Sequence, residues 1–221
     1  MIRLWALTSL FALEALAAEV RGVVVLKGDR PAPSTLAVTK DVHACGETIP
    51  DDSLIVGEQG GVANAVVVVR LSKPPPPKPG LVAIDQLKCR FLPRVAAVPV
   101  GSTIELWNSD AVLHNARAMQ GTATVFNYPF PLKNLKRKTT AKKEGVLDVR
   151  CDAGHTWMRS LIHVLPHAYF AVTDQEGRFA IADVPEGASE LEVRHEKLDQ
   201  PLIVPMGGEP LKVALPLGAK R

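Results

Sequence analysis

Punctuation constrains this chain more than any other feature. Short valine-rich segments recur along it, each closed by Gly, Pro, Asn or Asp, and residues 73–80 (KPPPPKPG) set four prolines in a row. Prolines cannot donate to a strand ladder and favour polyproline II, so that stretch reads as a stiff, exposed connector. Residues 20–27 (VRGVVVLK) read as a strand, residues 39–61 as loop, and residues 63–71 (ANAVVVVRL) as a strand apolar enough to be buried on both faces. Beyond the connector, strands are expected at residues 95–100, 103–108, 122–127, 137–141, 145–151 and 160–165. Residues 169–217 repeat the pattern, with turns at 174–177 and 185–187. Many short strands with this punctuation predict an all-β fold built on a β-sandwich, with no helix of length.

Strand parity then places side chains. Leu147, Val149 and Cys151 share one face while Asp148 and Arg150 take the other, so Cys151 points inward at a strand end. Ile104, Leu106 and Asn108 share a face in the same way and lead into an Asn-Ser-Asp turn.

Cys151 opens the segment VRCDAGHTWMRSLI, which also holds His155 and Met158. A thiolate, an imidazole and a thioether this close together suit copper better than calcium, magnesium or a structural zinc. A trigonal site needs a second histidine, and His114, in WNSDAVLHN, is the supplier.

The cysteine count bears on this. The N-terminus, MIRLWALTSLFALEALAAEV, has an early Arg3, an apolar run and Ala15-Leu16-Ala17, the layout of a secretory signal peptide cleaved near Ala17 or Ala18. The apolar part is short for a membrane span. Export to a periplasmic or extracellular compartment favours disulfides, and three cysteines leave one over. Pairing of Cys45 with Cys89 leaves Cys151 for a metal. The alternatives are a buried inert Cys151 or a different pairing.

Together, WNSDAVLHN and VRCDAGHTWM resemble the cupredoxins, the plastocyanin, azurin and pseudoazurin group of blue-copper proteins. The resemblance covers roughly residues 81–165. It implies a Greek-key sandwich with one mononuclear type 1 copper used in electron transfer. It also implies that His114, Cys151 and His155 ligate, that Met158 is the weak axial ligand, and that Asn115 ties the two ligand loops together. Asp110 reads as a turn-former. The two-residue gap between His155 and Met158 is tighter than the family's usual spacing, and a gap this short strains or displaces an axial bond. Residues 166–217, with TDQEGRFAIADVPEG, look like a carboxypeptidase regulatory-like (transthyretin-related) β module, and the early GVVVLKGDRPAP could supply its first strand. The combined architecture is similar to bacterial proteins labelled methylamine-utilisation-like. The expected organisation is a signal peptide at 1–17, an N-terminal β segment and connector at 18–80, the cupredoxin unit at 81–165 and the small module at 166–217.

The remaining features are weaker. His163, His167 and His195 each read as structural, although together they could form a second site, and His43 stays unassigned. Lys133, Lys136, Arg137, Lys138, Lys142 and Lys143 read as a solvated hairpin or, for Lys133 and Lys136, as docking charge for an acidic redox partner. The net charge of +3 is too small to argue for nucleic acid. No Cys-x-x-Cys-His, Gly-x-Ser-x-Gly, P-loop or His-Glu-x-x-His occurs, so haem attachment, ordinary hydrolysis and nucleotide chemistry have no support. Electron transfer without catalytic turnover is the expectation. Copper storage or delivery is the second reading, and a structural or adhesive protein with a vestigial site the third.

Overall fold

A computed structural model describes residues 18–207 and 211–216, and the expected signal peptide lies outside these residues. The chain begins with β1 (Ala18–Leu26), β2 (Thr35–Ala37), the four-residue helix α1 (Val42–Cys45), β3 (Thr48–Pro50) and β4 (Val66–Val69). After the connector, whose residues 72–80 are all exposed, come β5 (Leu81–Gln86), β6 (Phe91–Leu92), β7 (Val95–Pro99) and β8 (Thr103–Asn108). Then follow β9 (His114–Gln120), β10 (Ala123–Phe130), β11 (Lys136–Thr140), β12 (Gly145–Arg150) and β13 (Arg159–Leu165). The last elements are β14 (Phe170–Val172), β15 (Arg178–Val184), β16 (Glu190–Arg194), β17 (Leu202–Pro205) and β18 (Leu211–Leu215). The fold is all-β.

Four sheets do most of the work. One, in the order β10-β9-β12-β13-β7, faces a second in the order β11-β8-β5-β6. Between them lie Ile84, Ile104, Leu106, Ala116, Ala118, Leu147, Val149 and Ile162, all buried. These are the alternate residues of their strands, as a two-sheet sandwich requires. The other two sheets run β15-β1-β18 and β14-β4-β16-β17, and they close over Val24, Val67, Val69, Phe179, Ile181, Leu191 and Val193. Thus β1 and β4 pair with strands from the C-terminal quarter of the chain, with β1 parallel to β18.

Strand β4 explains how the sandwiches meet. All four of its valines are buried. Val67 and Val69 enter the core of the second sandwich, while Val66 and Val68 pack with Val95, Leu161 and Leu165 on the outer face of the first. A continuous apolar run is needed because both faces of the strand are covered. The adjoining turn at Asp174–Gly177 demands glycine: Gly177 has φ +76, and a Cβ there would stand 2.3 Å from the carbonyl oxygen of Val24.

Residues 35–50 fold back on the first sandwich as a strap. β2 and β3 pair in antiparallel register, Val38 and Ile49 enter the first core, and α1 sits at the tip. Cys45 at the end of α1 is disulfide-bonded to Cys89. The expected loop is therefore a built cover, pinned at the end of the sandwich where His114 and Cys151 lie.

Candidate metal centre

The four expected ligands come from two places. His114 is the first residue of β9, and its sequence, HNARAMQ, puts Ala116 and Ala118 in the core with it. Cys151 follows β12 directly, and its inward parity leaves it buried, next to the buried Leu147 and Val149. His155 and Met158 lie in the tight connection between β12 and β13, where the Met158 amide donates to the carbonyl of His155 at 3.0 Å. All four side chains are buried.

Three donor atoms converge. Nδ1 of His114 is 3.2 Å from Nδ1 of His155, and Sγ of Cys151 is 3.6 Å from Nδ1 of His155. Each histidine is held from behind by a carboxylate. Nε2 of His114 meets Oδ2 of Asp110 at 3.0 Å, and Nε2 of His155 meets Oδ2 of Asp41 at 2.9 Å. A carboxylate can only accept, so each Nε2 carries the proton and each Nδ1 turns inward. This is the usual way in which outer partners fix the tautomer and orientation of metal-binding histidines.

Asp110 and Asp41 are the residues that sequence reasoning missed. Asp110 does form a turn, but its carboxylate also accepts the amides of Lys88 and Cys89 at 2.8 and 2.7 Å. The buried Asn108, inward by parity, anchors that turn: its Oδ1 accepts the Asp110 amide, and its Nδ2 donates to the carbonyls of Val112, Phe130 and Leu132. Asp41 lies on the strap tip, 114 positions before its partner. Asn115 joins the two ligand segments. Its amide donates to Sγ of Cys151 at 3.3 Å, and its Oδ1 accepts the amide of Asp152 at 3.4 Å.

The two rings stand close enough for each to influence the charge of the other. Burial opposes charge on His114, but hydrogen bonds to Asp110 and Cys151 outweigh it and raise its pKa to about 8. Burial and the neighbouring charge of His114 lower that of His155, against the pull of Asp41. His114 therefore holds a proton more tightly than His155, and that proton would have to leave before Nδ1 of His114 could offer a lone pair to a metal.

Other histidines stand apart. Among the described residues, the groups of closely spaced His, Cys, Asp and Glu donors are His114–Cys151–His155 and the adjoining Cys89–Asp110–His114. Nδ1 of His167 accepts the amide of Tyr169, and Nδ1 of His195 accepts that of Lys197. His163 is buried in β13. Lys136 lies over the Trp107 ring at 3.9 Å, and Lys138 is paired with Glu105.

The chain is similar in part to several solved cupredoxin structures. One is a purple cupredoxin from Nitrosopumilus maritimus, at 23% identity over 38% of this chain and 99% of that one, with a TM-score of 0.34. An amicyanin variant in its reduced state matches at 22% identity over 45% of this chain and 98% of that one, with a TM-score of 0.35. The copper-containing nitrite reductase of Thermus scotoductus matches at 27% identity over 44% of this chain and 25% of that one, also with a TM-score of 0.35. No protein-family model and no curated protein matches the sequence.

Proposed function

We propose that this chain is an exported copper protein that passes single electrons through one mononuclear type 1 site. His114, Cys151 and His155 would hold the metal, with Met158 as the weak axial donor. The observation that carries this reading is the convergence of Nδ1, Nδ1 and Sγ with both outer imidazole nitrogens held by carboxylates. Two imidazoles and one thiolate are the donor set of blue-copper electron-transfer centres, and bound copper would supply a one-electron Cu(II)/Cu(I) couple.

The protein's part is rigidity and dryness. Asp41 and Asp110 hold the rings, the Asn115 amide holds the sulfur, and burial of all four donors excludes water. A donor set that cannot rearrange lowers the cost of changing oxidation state. Four protein donors leave no open position for a substrate, so the site works without turnover. Burial of His155 beneath Asp41 favours retention of metal over its delivery to another protein.

The partner would be a transient redox protein. Leu113 and Leu132 are exposed where the Asn108 amide ties the turn before His114 to the end of β10, and Lys133 and Lys136 adjoin them. That combination suits an acidic surface with an apolar centre. A disulfide fits an oxidising compartment. Among the described residues no helix is long and apolar enough to cross a membrane.

Adding Cu(II) to the purified chain should give an intense visible thiolate-to-copper band at one metal per chain, absent in Cys151→Ser. A colourless protein without stoichiometric metal refutes the proposal. Reversible voltammetry of the loaded protein separates electron transfer from delivery.

A further inference from the structure

We infer that the Cys45–Cys89 disulfide is a thiol–disulfide exchange site that decides whether the centre keeps its metal. The inference rests on the copper reading above, but its structural half stands on the strap alone. The disulfide joins residues 44 positions apart and links two parts of one wall of the site. On one side, Cys89 is buried, and its Sγ lies within 4.8 Å of a ring nitrogen of His114 and a carboxylate oxygen of Asp110. Its carbonyl also accepts Nε1 of Trp157 at 3.0 Å, inside the ligand loop. On the other side, Cys45 ends α1 and is only partly buried.

The strap tip touches the ligand loop twice. Asp41 holds His155, and Nζ of Lys40 donates to the carbonyl of Ala153 at 2.5 Å. Little else fixes that geometry. α1 buries none of its residues and has no side-chain cap, and Asp41 before it has φ 51, a conformation unfavourable to any residue with a Cβ. One helical turn of this kind does not hold its own shape in water. The tip is therefore imposed by its anchors, and the disulfide is the covalent one.

The two sulfurs are not equivalent to an attacker. A dithiol reductant reaches Cys45 from solvent. Its thiolate bonds to Sγ of Cys45, the S–S bond breaks, and Cys89 leaves as a thiolate beside His114. The reductant's second thiolate then attacks the mixed disulfide, Cys45 is released, and the reductant becomes a disulfide. Two electrons pass to the protein, and its two cysteines take up two protons. The freed tip relaxes, Asp41 leaves Nε2 of His155, and that ligand is uncovered.

The test compares Cu(I)-loaded wild type with Cys45→Ser/Cys89→Ser, using a colorimetric Cu(I) chelator to time metal loss. Loss of an outer carboxylate partner typically costs 10–100-fold in affinity, so extraction should be about tenfold faster or more in the variant. Asp41→Ala with the disulfide intact should fall between the two. Wild type reduced in place by a phosphine should match the double variant, which covers a failure of that variant to fold. Equal extraction from oxidised and reduced wild type overturns the inference.

Two readouts need no copper. Glutathione added to the metal-free protein should form its mixed disulfide on Cys45, and reduction should speed hydrogen exchange of the amides of residues 40–46. A mixed disulfide on Cys89, or unchanged exchange, overturns the inference even if the chain binds no metal. Failure to load copper with both readouts positive refutes the copper reading alone.

Discussion

Nδ1 of His114 and Nδ1 of His155 stand 3.2 Å apart, with a carboxylate behind each ring. The pair is aimed by Asp110 and Asp41, so their effect should appear in the metal affinity. The Lys88 and Cys89 amides use one Asp110 oxygen each, so Asp110→Asn keeps one of these two acceptors and removes the charge behind His114. Copper affinity, measured by competition with a chelator, should fall by about tenfold while the visible band persists. Unchanged affinity would reduce Asp110 to a turn-former.

Met158 separates axial ligation from simple packing. It is fully buried, and leucine nearly matches its volume, so Met158→Leu should cost less than about 1.5 kcal/mol in urea unfolding. If the thioether donates to the metal, its loss removes a donor that favours Cu(II), and the reduction potential should rise. An unchanged potential and spectrum would make Met158 a core residue only.

What could be read from the chain followed period and pairing. Cys151 is inward because it extends the Leu147–Val149 face, and Asn108 because it extends Ile104 and Leu106. The four buried valines of β4 record a strand covered on both sides. Strand β9 was hidden because its inward residues after His114 are only alanines, too small to stand out from Asn115 and Arg117. The roles of Asp41 and Asp110 were hidden for another reason. Aspartate in a loop is ordinary turn chemistry, and only tertiary structure brings Asp41 to a histidine 114 positions later.

The two sandwiches are joined by charge as well as by valines. Glu196, which follows β16, accepts Arg94 through both Nε and Nη2 and also accepts Nη1 of Arg159, whose guanidinium holds Asp148 as well. Arg94 and Glu196 are largely buried. Glu196→Ala leaves the Arg94 charge enclosed without its partner and should cost about 3 kcal/mol in urea unfolding. Glu196→Gln should cost less, because it keeps hydrogen bonding. A loss below about 1 kcal/mol would leave the valine contact as the main joint.

His163 gives the fold a dependence on acid. It is buried in β13, and its Nδ1 has no hydrogen-bond partner among the described residues. Burial, reinforced by the charge of Arg194, lowers its pKa to about 4. In the unfolded chain the same group takes a proton below about 6.5. Above that pH both states hold it neutral and it adds no pH dependence. As pH falls from about 6.5 towards 4 the unfolded state alone gains the proton, and stability drops by up to about 3 kcal/mol. Lowered pKa values at His155 and His167 act in the same direction, but both residues remain in His163→Leu and cancel in the comparison. Urea unfolding at pH 7 and pH 4.5 should therefore show a larger acid loss in wild type than in His163→Leu. Equal losses in the two proteins would show that His163 is not held neutral in the fold.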